Sequence, residues 1–552
     1  MFLSIRNFFC RLIPGFLSHS RSPSMEPTSQ GRRSLRLIVG AAIIILLAFV
    51  SILVWKFVIH PSAQDNLIAQ TSVKKTSSDE HAIRIATDSF KGYSVFRSDG
   101  FAGELRESGF SLELVDDGGD YAARQKALRK GDVDMAVITI DANLKTGAKL
   151  EQFPGTIVLA IDESAGADGM VAYKQALAAI EDLDHSTAHV VAMPDSPSET
   201  FVQVVRADMS LPQMPEDWFV PETSQERIYN LLRATSPTER KAFVLWEPYL
   251  SKSLKIPGVH RLLDTSQVRG IIVDVLLARR EFLRDHPEQV KVVLAAYLRT
   301  LYSYQSRGDE GFAALLIEDG QKTGEIISSD EAHNMVKGIR FWNTTENYAL
   351  FGLLPTGESA GLPTLHDTIL NIGRMLTASG AFAAMPVADP SELYFDGVLR
   401  DLYSGGFHPR SKLGVVDVPK GDLGAVRVAE TLPELSAEDW DKLSTVGHLR
   451  ICAIEFRRAS SALSLQGQRS VDEIARQLHS YPTFYLTVVG HARADGDQVE
   501  NEKLALARAQ SVSDQIISRG IPTHRIRVKA APPVGMGGES QSVSFLLGQK
   551  SY

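Results

Sequence analysis

The sequence predicts an α/β protein with mainly parallel sheets, one apolar span in front of it and a compact α+β unit behind. Three observations lead there. From Ala82 onward, short apolar runs at 83–86, 135–140, 156–161, 189–192 and 242–245 alternate with stretches such as 121–130 and 287–304, whose apolar residues recur at helical spacing. Strands alternating with helices build layered α/β domains. Residues 37–55 (LIVGAAIIILLAFVSILVW) form an apolar run without a charge. The last roughly one hundred residues mix strand-like and helical patterns, within the lower range of domain sizes.

The front of the chain comes first. At about 1.5 Å per residue, the 37–55 run is long enough to cross a hydrocarbon core of about 30 Å. Arg6, Arg11, Arg21, Arg32, Arg33 and Arg36 precede it against one acid, Glu26, and Trp55 and Lys56 end it. That bias keeps a basic tail (1–36) in the cytoplasm and exports the chain beyond a single-pass helix (37–59). The expected location is a bacterial inner membrane, with the bulk of the chain periplasmic. A cleaved signal peptide fits less well, because the run is long and no A-x-A site follows closely. No acid lies inside the run, so it reads as an anchor and not as a proton pathway.

Composition narrows the function. The chain of 552 residues is long enough for about three domains. A net charge of -8 without a dominant basic tract argues against nucleic-acid binding. Cys10 and Cys452 are the two cysteines, on opposite sides of the expected membrane, so neither a disulfide framework nor a thiolate metal site is expected. Residues 60–81 are polar and Ser/Thr-rich, as in a linker.

The α/β part then becomes specific. The segments IRIATDSFKGYSVF (83–96), LRKGDVDMAVITIDA (128–142), LAIDESAGADGMVA (159–172), WEPYL (246–250), GIIVDVLLARREFLRDHPE (270–288) and GIRFWNTTENYALFG (338–352) resemble ABC-transporter solute-binding proteins of the sulfonate, taurine, nitrate or thiamine-precursor type. The resemblance implies a two-lobed periplasmic-binding-protein fold over 82–405. Lobe one falls at about 82–172 and 270–400, lobe two at about 175–265, and a second linker at 406–447. It also implies a small-molecule solute, an ABC permease or other membrane partner, and no cofactor.

Candidate ligand residues follow from where strands end, since open α/β sheets bind outside those ends. Ser89, Phe90, Gly92 and Tyr93 follow the first strand, with Gly92 permitting close approach and the aromatics covering a solute. Thr139 and Asp141 end another strand, and Asp162 and Ser164 lie where the chain enters the hinge. Ser196 and Ser198 open a helix whose N–H groups suit an anionic headgroup; the alternative is an N-cap. Trp246, Glu247 and Asp274 offer a wall and acceptors for an amine, although Glu247-Pro248 also reads as a helix start. Asp162 alternatively braces the hinge. Acids and hydroxyls together suit a small polar solute, anionic or zwitterionic.

Catalysis is not expected. Gly357-Glu358-Ser359-Ala360-Gly361 matches a nucleophile elbow, but Pro355 and Pro363 place it in a loop, where the strand–turn–helix setting is missing. The binding part contains no cysteine for a thiamine-pyrimidine type of chemistry. No catalytic or metal-ligating residue is assigned.

At the C-terminus, residues 448–548 resemble the OmpA-like peptidoglycan-associating domain. The segments IEFRRASSALSLQGQRSVDEIARQL (454–478) and FYLTVVGHARADGDQVENEKLALARAQSVSDQIISRGIPTHRIRV (484–528) bear the likeness, and the core motif appears as Asn501, Leu504, Ala505, Arg508, Ala509 and Val512. Asn501 and Arg508 are about two turns apart on one helical face. The resemblance implies that Arg508 grips a carboxylate of the wall peptide, a task that suits a guanidinium. Arg493 stands where the family places an aspartate against the wall's ammonium, and Asp495 is the nearby replacement. The family's closing motif is absent; 540–543 reads SQSV. Two readings stay open: a tethered, non-enzymatic solute receptor, and a structural linker between inner membrane and wall.

Overall fold

The structure, a computed structural model, describes residues 82–355, 363–411, 432–451, 453–457, 460–492, 496–531 and 543–550. The expected tail, span and first linker, both cysteines, the 357–361 motif, Arg493 and Asp495 lie outside these. Among the described residues no helix is long and apolar enough to cross a membrane.

Lobe one begins with β1 (Ala82–Thr87), β2 (Ser111–Asp116), α1 (Tyr121–Lys130), β3 (Met135–Thr139), α2 (Ile140–Leu150) and β4 (Gly155–Ser164). Local chemistry sets these limits. The Asp120 carboxylate accepts from the Ala123 N–H to start α1, and Gly131 ends it at φ 76°, a left-handed conformation that glycine adopts at little cost. Every residue of β3 and β4 is buried, which is why both read as continuous apolar runs rather than alternating ones.

Lobe two contains β5 (Asp168–Tyr173), β6 (His189–Ala192), α3 (Pro197–Asp208), β7 (Phe219–Pro221), β8 (Lys241–Trp246) and β9 (Val259–Asp264), in the sheet order β7-β6-β8-β5-β9. The chain returns through β10 (Val273–Arg279), α4 (Pro287–Gln305), α5 (Gly308–Thr323), β11 (Ile339–Phe341) and α6 (Leu365–Ala378). The first sheet is ordered β11-β4-β10-β3-β1-β2. It is mixed and not mainly parallel, because β10 runs antiparallel to β3 and β4. A strand returning from lobe two enters at the edge where β3 and β4 end, so it must run against them. The outgoing crossover occupies 164–168, ahead of the boundary expected near 172, and β5 belongs to the second sheet.

The crossovers are stitched together. Ser164 Oγ and Thr265 Oγ1 are 2.7 Å apart, Gly166 N–H donates to Thr265 Oγ1 at 2.8 Å, and Thr265 N–H donates to the Asp168 carbonyl at 3.0 Å.

The C-terminal unit has β12 (Ser444–His448), α7 (Leu465–Ser480), β13 (Tyr485–His491), α8 (Gln498–Ile517), β14 (Ile526–Ala531) and β15 (Val543–Gln549), with sheet order β12-β15-β13-β14. β12 starts inside the segment expected to be linker, held by antiparallel pairing with β15. The unit does not hang free of lobe two. Buried Phe201, Val205, Met209 and Trp218 share one apolar core with Leu449, Ile474, Leu478 and Tyr481. Ser210 N–H donates to the His448 carbonyl at 3.0 Å, Arg450 N–H to the Asp208 carbonyl at 2.5 Å, and Arg269 N–H to the Ser480 carbonyl at 2.7 Å.

Candidate functional site: the edge between the lobes

Four strands of lobe one present a row at the edge facing lobe two. Asp274 on β10 is in register with Thr139 on β3 and with Asp162 on β4, and Phe341 on β11 extends the row. Register partners on neighbouring strands project to one face, so the Asp162 and Asp274 carboxyls stand side by side, 0% and 1% exposed. The Tyr93 hydroxyl donates to Asp274 Oδ1. Asp274 Oδ2 and both oxygens of Asp162 have no hydrogen-bond donor. Burial pushes Asp162 well above the ordinary carboxylate range; burial and then the neighbouring Asp162 charge do the same to Asp274. The pair therefore favours holding a proton between its members or facing an external cation.

The turn after β1 closes over this pair. A Cβ on Gly92 would collide with the Asp162 carboxylate and the Phe90 ring, so the backbone can lie there only without a side chain. Phe90 meets Tyr93 edge-on, with centroids 5.3 Å apart. The turn itself is fixed by Asp88, whose Oδ1 accepts from the Phe90 N–H at 2.9 Å. Ser89 is half-buried beside it.

Sequence reasoning missed Arg124 on α1, which is fully buried. It donates to Asp88 Oδ2 at 2.8 Å and to Asp117 Oδ2 at 2.6 Å, and also to the Val137 carbonyl. Its guanidinium lies 4.8 Å from the Tyr121 ring centroid. Asp168 was missed too. Its Oδ1 is buried without a partner, and burial pushes the carboxyl up to about 7. Tyr297 on α4 likewise buries an unpartnered hydroxyl, and burial, then the Asp162 and Asp274 charges, pushes it well above the ordinary phenol range.

Lobe two supplies the start of α3. Ser196 occupies the N-cap position, yet its hydroxyl donates to the Met193 carbonyl at 2.7 Å and does not cap the helix. Ser198 Oγ is buried and unpartnered. Thr200 Oγ1 donates to Asp141 Oδ2 across the lobes, and Lys145 pairs with Glu199 at 3.2 Å. Asp141 is thus engaged by the protein itself.

Other expected ligand residues take structural work. Thr139 caps α2 by accepting from the Ala142 N–H at 3.4 Å, and Ser164 belongs to the hinge stitching. Glu247 accepts from Ser251 Oγ at 2.8 Å and Ser251 N–H at 3.1 Å, starting the 249–253 helix; burial pushes it up to about 7. Trp246 is buried, and with Met193 it lies against the backbone of Gly119 from lobe one. Phe90, Gly92, Tyr93, Asp162 and Asp274 therefore gather at one place, with Ser198 and Trp246 on the opposite lobe.

In the C-terminal unit, α8 bears Asn501, Leu504 and Arg508. The Asp497 carboxylate caps the helix by accepting from the Val499 and Glu500 N–H groups. Arg508 Nε donates to the Ser460 carbonyl at 3.1 Å, and its guanidinium lies 5.0 Å from the Phe456 ring centroid. Asn501 and Leu504 are half-buried. β13 and α8 approach closely at Gly490, where a Cβ would strike the Ala505 carbonyl.

The model of the OmpA family matches residues 455–542. Outer membrane protein A of Serratia odorifera is 35% identical over 98 residues, 17% of this chain and 38% of that protein. The peptidoglycan-associated lipoprotein of Rhizobium meliloti (strain 1021) is 34% identical over 74 residues, 13% of this chain and 42% of that protein. The chain thus spans well under half the length of these curated relatives. Among solved structures, the periplasmic aliphatic sulphonate binding protein of Escherichia coli aligns at 14% identity and a TM-score of 0.40, covering 64% of this chain and 98% of that one. The C-terminal unit is an OmpA-family domain, preceded by two α/β lobes joined through a stitched hinge.

Proposed function

We propose that this chain is a tethered envelope receptor, not an enzyme, which holds a small polar solute between its lobes and attaches to the cell wall through its C-terminal domain. One observation carries the reading. The row at the lobe-one edge includes Asp162, a fully buried carboxyl to which the protein offers no donor beyond a proton shared with Asp274. Ionising a buried carboxyl that has no donor costs several kcal/mol, and a solute that brings a donor between the lobes relieves that cost.

The 37–59 span anchors the chain in the inner membrane, with residues 1–36 in the cytoplasm and the bulk periplasmic. Arg508 on α8 grips a carboxylate of peptidoglycan, with Asn501 and Leu504 beside it and Asp495 meeting the wall's ammonium. A permease or other membrane partner receives or reads the closed form. The full-length chain in detergent is melted with a library of small polar solutes and sedimented with insoluble peptidoglycan. A solute that raises the melting temperature, and pelleting lost in Arg508→Ala, are the expected results. No shift with any solute, together with retained pelleting, identifies a structural linker instead.

A further inference from the structure

We propose that the solute between the lobes is a small organic cation, a protonated amine with a compact body, rather than an anion. The inference rests on the receptor reading above and narrows it.

The seat that an anion would take is already negative. The first turn of α3, in lobe two, would otherwise offer N–H groups and the Thr200 hydroxyl to an acidic headgroup. Thr200 instead donates to Asp141 from lobe one, and Glu199 of the same turn carries a second carboxylate. An incoming sulfonate or carboxylate would meet both.

The nearby protein cations are engaged. Arg124 is held by Asp88, Asp117 and the Val137 carbonyl, and Lys145 by Glu199. The unmatched groups that can carry charge at this edge are all acids, and the unpartnered Ser198 and Tyr297 hydroxyls beside them can accept as well as donate. Asp162 Oδ1 and Oδ2, Asp274 Oδ2 and Asp168 Oδ1 are all buried and without donors. An ammonium brings several N–H donors and the compensating charge together. Phe90 and Tyr93 stand beside the acid pair, and ring faces attract a desolvated cation further. Among the described residues no group of three or more His, Cys, Asp or Glu side chains is placed to hold a metal ion, which favours an organic cation.

The test uses the full-length chain and three matched probe sets in calorimetric titration. One contains ethanolamine, agmatine and benzylamine; one contains ethanesulfonate and nitrate; one contains ethylene glycol and benzyl alcohol. The amine set is expected to bind. Asp162→Asn is expected to weaken that binding about tenfold or more, since it removes one of the two acids that would face the ammonium. The same variant should melt no lower than wild type without solute, which separates lost binding from lost folding. Binding confined to the sulfonate and nitrate set overturns the cation assignment while leaving the receptor reading standing. Amine binding undiminished in both Asp162→Asn and Asp274→Asn overturns the site. Binding by none of the sets overturns the receptor reading, and this inference with it.

Discussion

Asp208, at the end of α3, is a buried acid in the seam between lobe two and the OmpA-family domain. Its Oδ2 accepts from the Tyr481 hydroxyl at 2.8 Å and its Oδ1 from Gln477 Nε2 at 3.2 Å. Burial nevertheless pushes the carboxyl up from 3.8 to about 6. The folded state therefore binds more protons than the unfolded one between those values. The group's stabilising contribution is full below the unfolded value and is lost as pH rises through about 6. At pH 7.5 the charged carboxylate costs at most about 3 kcal/mol relative to its protonated form. Asp208→Asn keeps an acceptor for Tyr481 without the charge. It should raise unfolding stability at pH 7.5 by about 1–2 kcal/mol, at most the cost of the charge, and by little at pH 4.5. Tyr481→Phe removes the donor and should cost about 1.5–3 kcal/mol at pH 7.5, the range for a hydrogen bond to a charged group. Denaturant titrations of wild type and both variants at the two pH values measure these differences. An Asp208→Asn effect that is destabilising and equal at both pH values would refute the reasoning.

Other outcomes follow from the same geometry. Gly92→Ala forces a methyl against Asp162 and Phe90, and should lower stability by about 1–3 kcal/mol in a melt, the usual cost of overpacking. Tyr93→Phe strips Asp274 of its donor; a loss of about 1–3 kcal/mol is expected, with weaker solute binding by titration. Thr200→Val removes the donor to Asp141 across the lobes and should shift the chain toward an open form, read as a larger radius of gyration in solution scattering. Arg508→Ala should abolish pelleting with peptidoglycan while leaving the melt within about 1 kcal/mol, because a half-buried side-chain contact contributes little more.

The sequence made the strands visible where burial is two-sided: β3, β4 and β8 are apolar runs because helices or the other sheet cover both faces. The outgoing crossover was harder to place. Residues 155–173 are buried almost throughout, and the polar stretch 162–169 (DESAGADG) between their two apolar runs does not say at which residue lobe one ends. The edge position of Asp162, Tyr93 and Gly92 was legible because strand ends locate clefts in α/β sheets. Arg124 was not, since a charged helix residue ordinarily reads as solvated; only the tertiary meeting of Asp88, Asp117 and α1 buries it. The place of Asp141 just after a strand end is legible in the sequence, whereas the Thr200 hydroxyl that reaches it from the other lobe is not. The Asp208–Tyr481 contact joins residues far apart in the chain, and nothing local to either announces it.

The most direct test of the central claim is native mass spectrometry of the chain released gently from its own membranes. A bound small molecule of basic character is expected on the wild-type protein and is expected to be missing from Asp162→Asn. An acidic or neutral molecule that Asp162→Asn retains, or none on either protein, would contradict that claim.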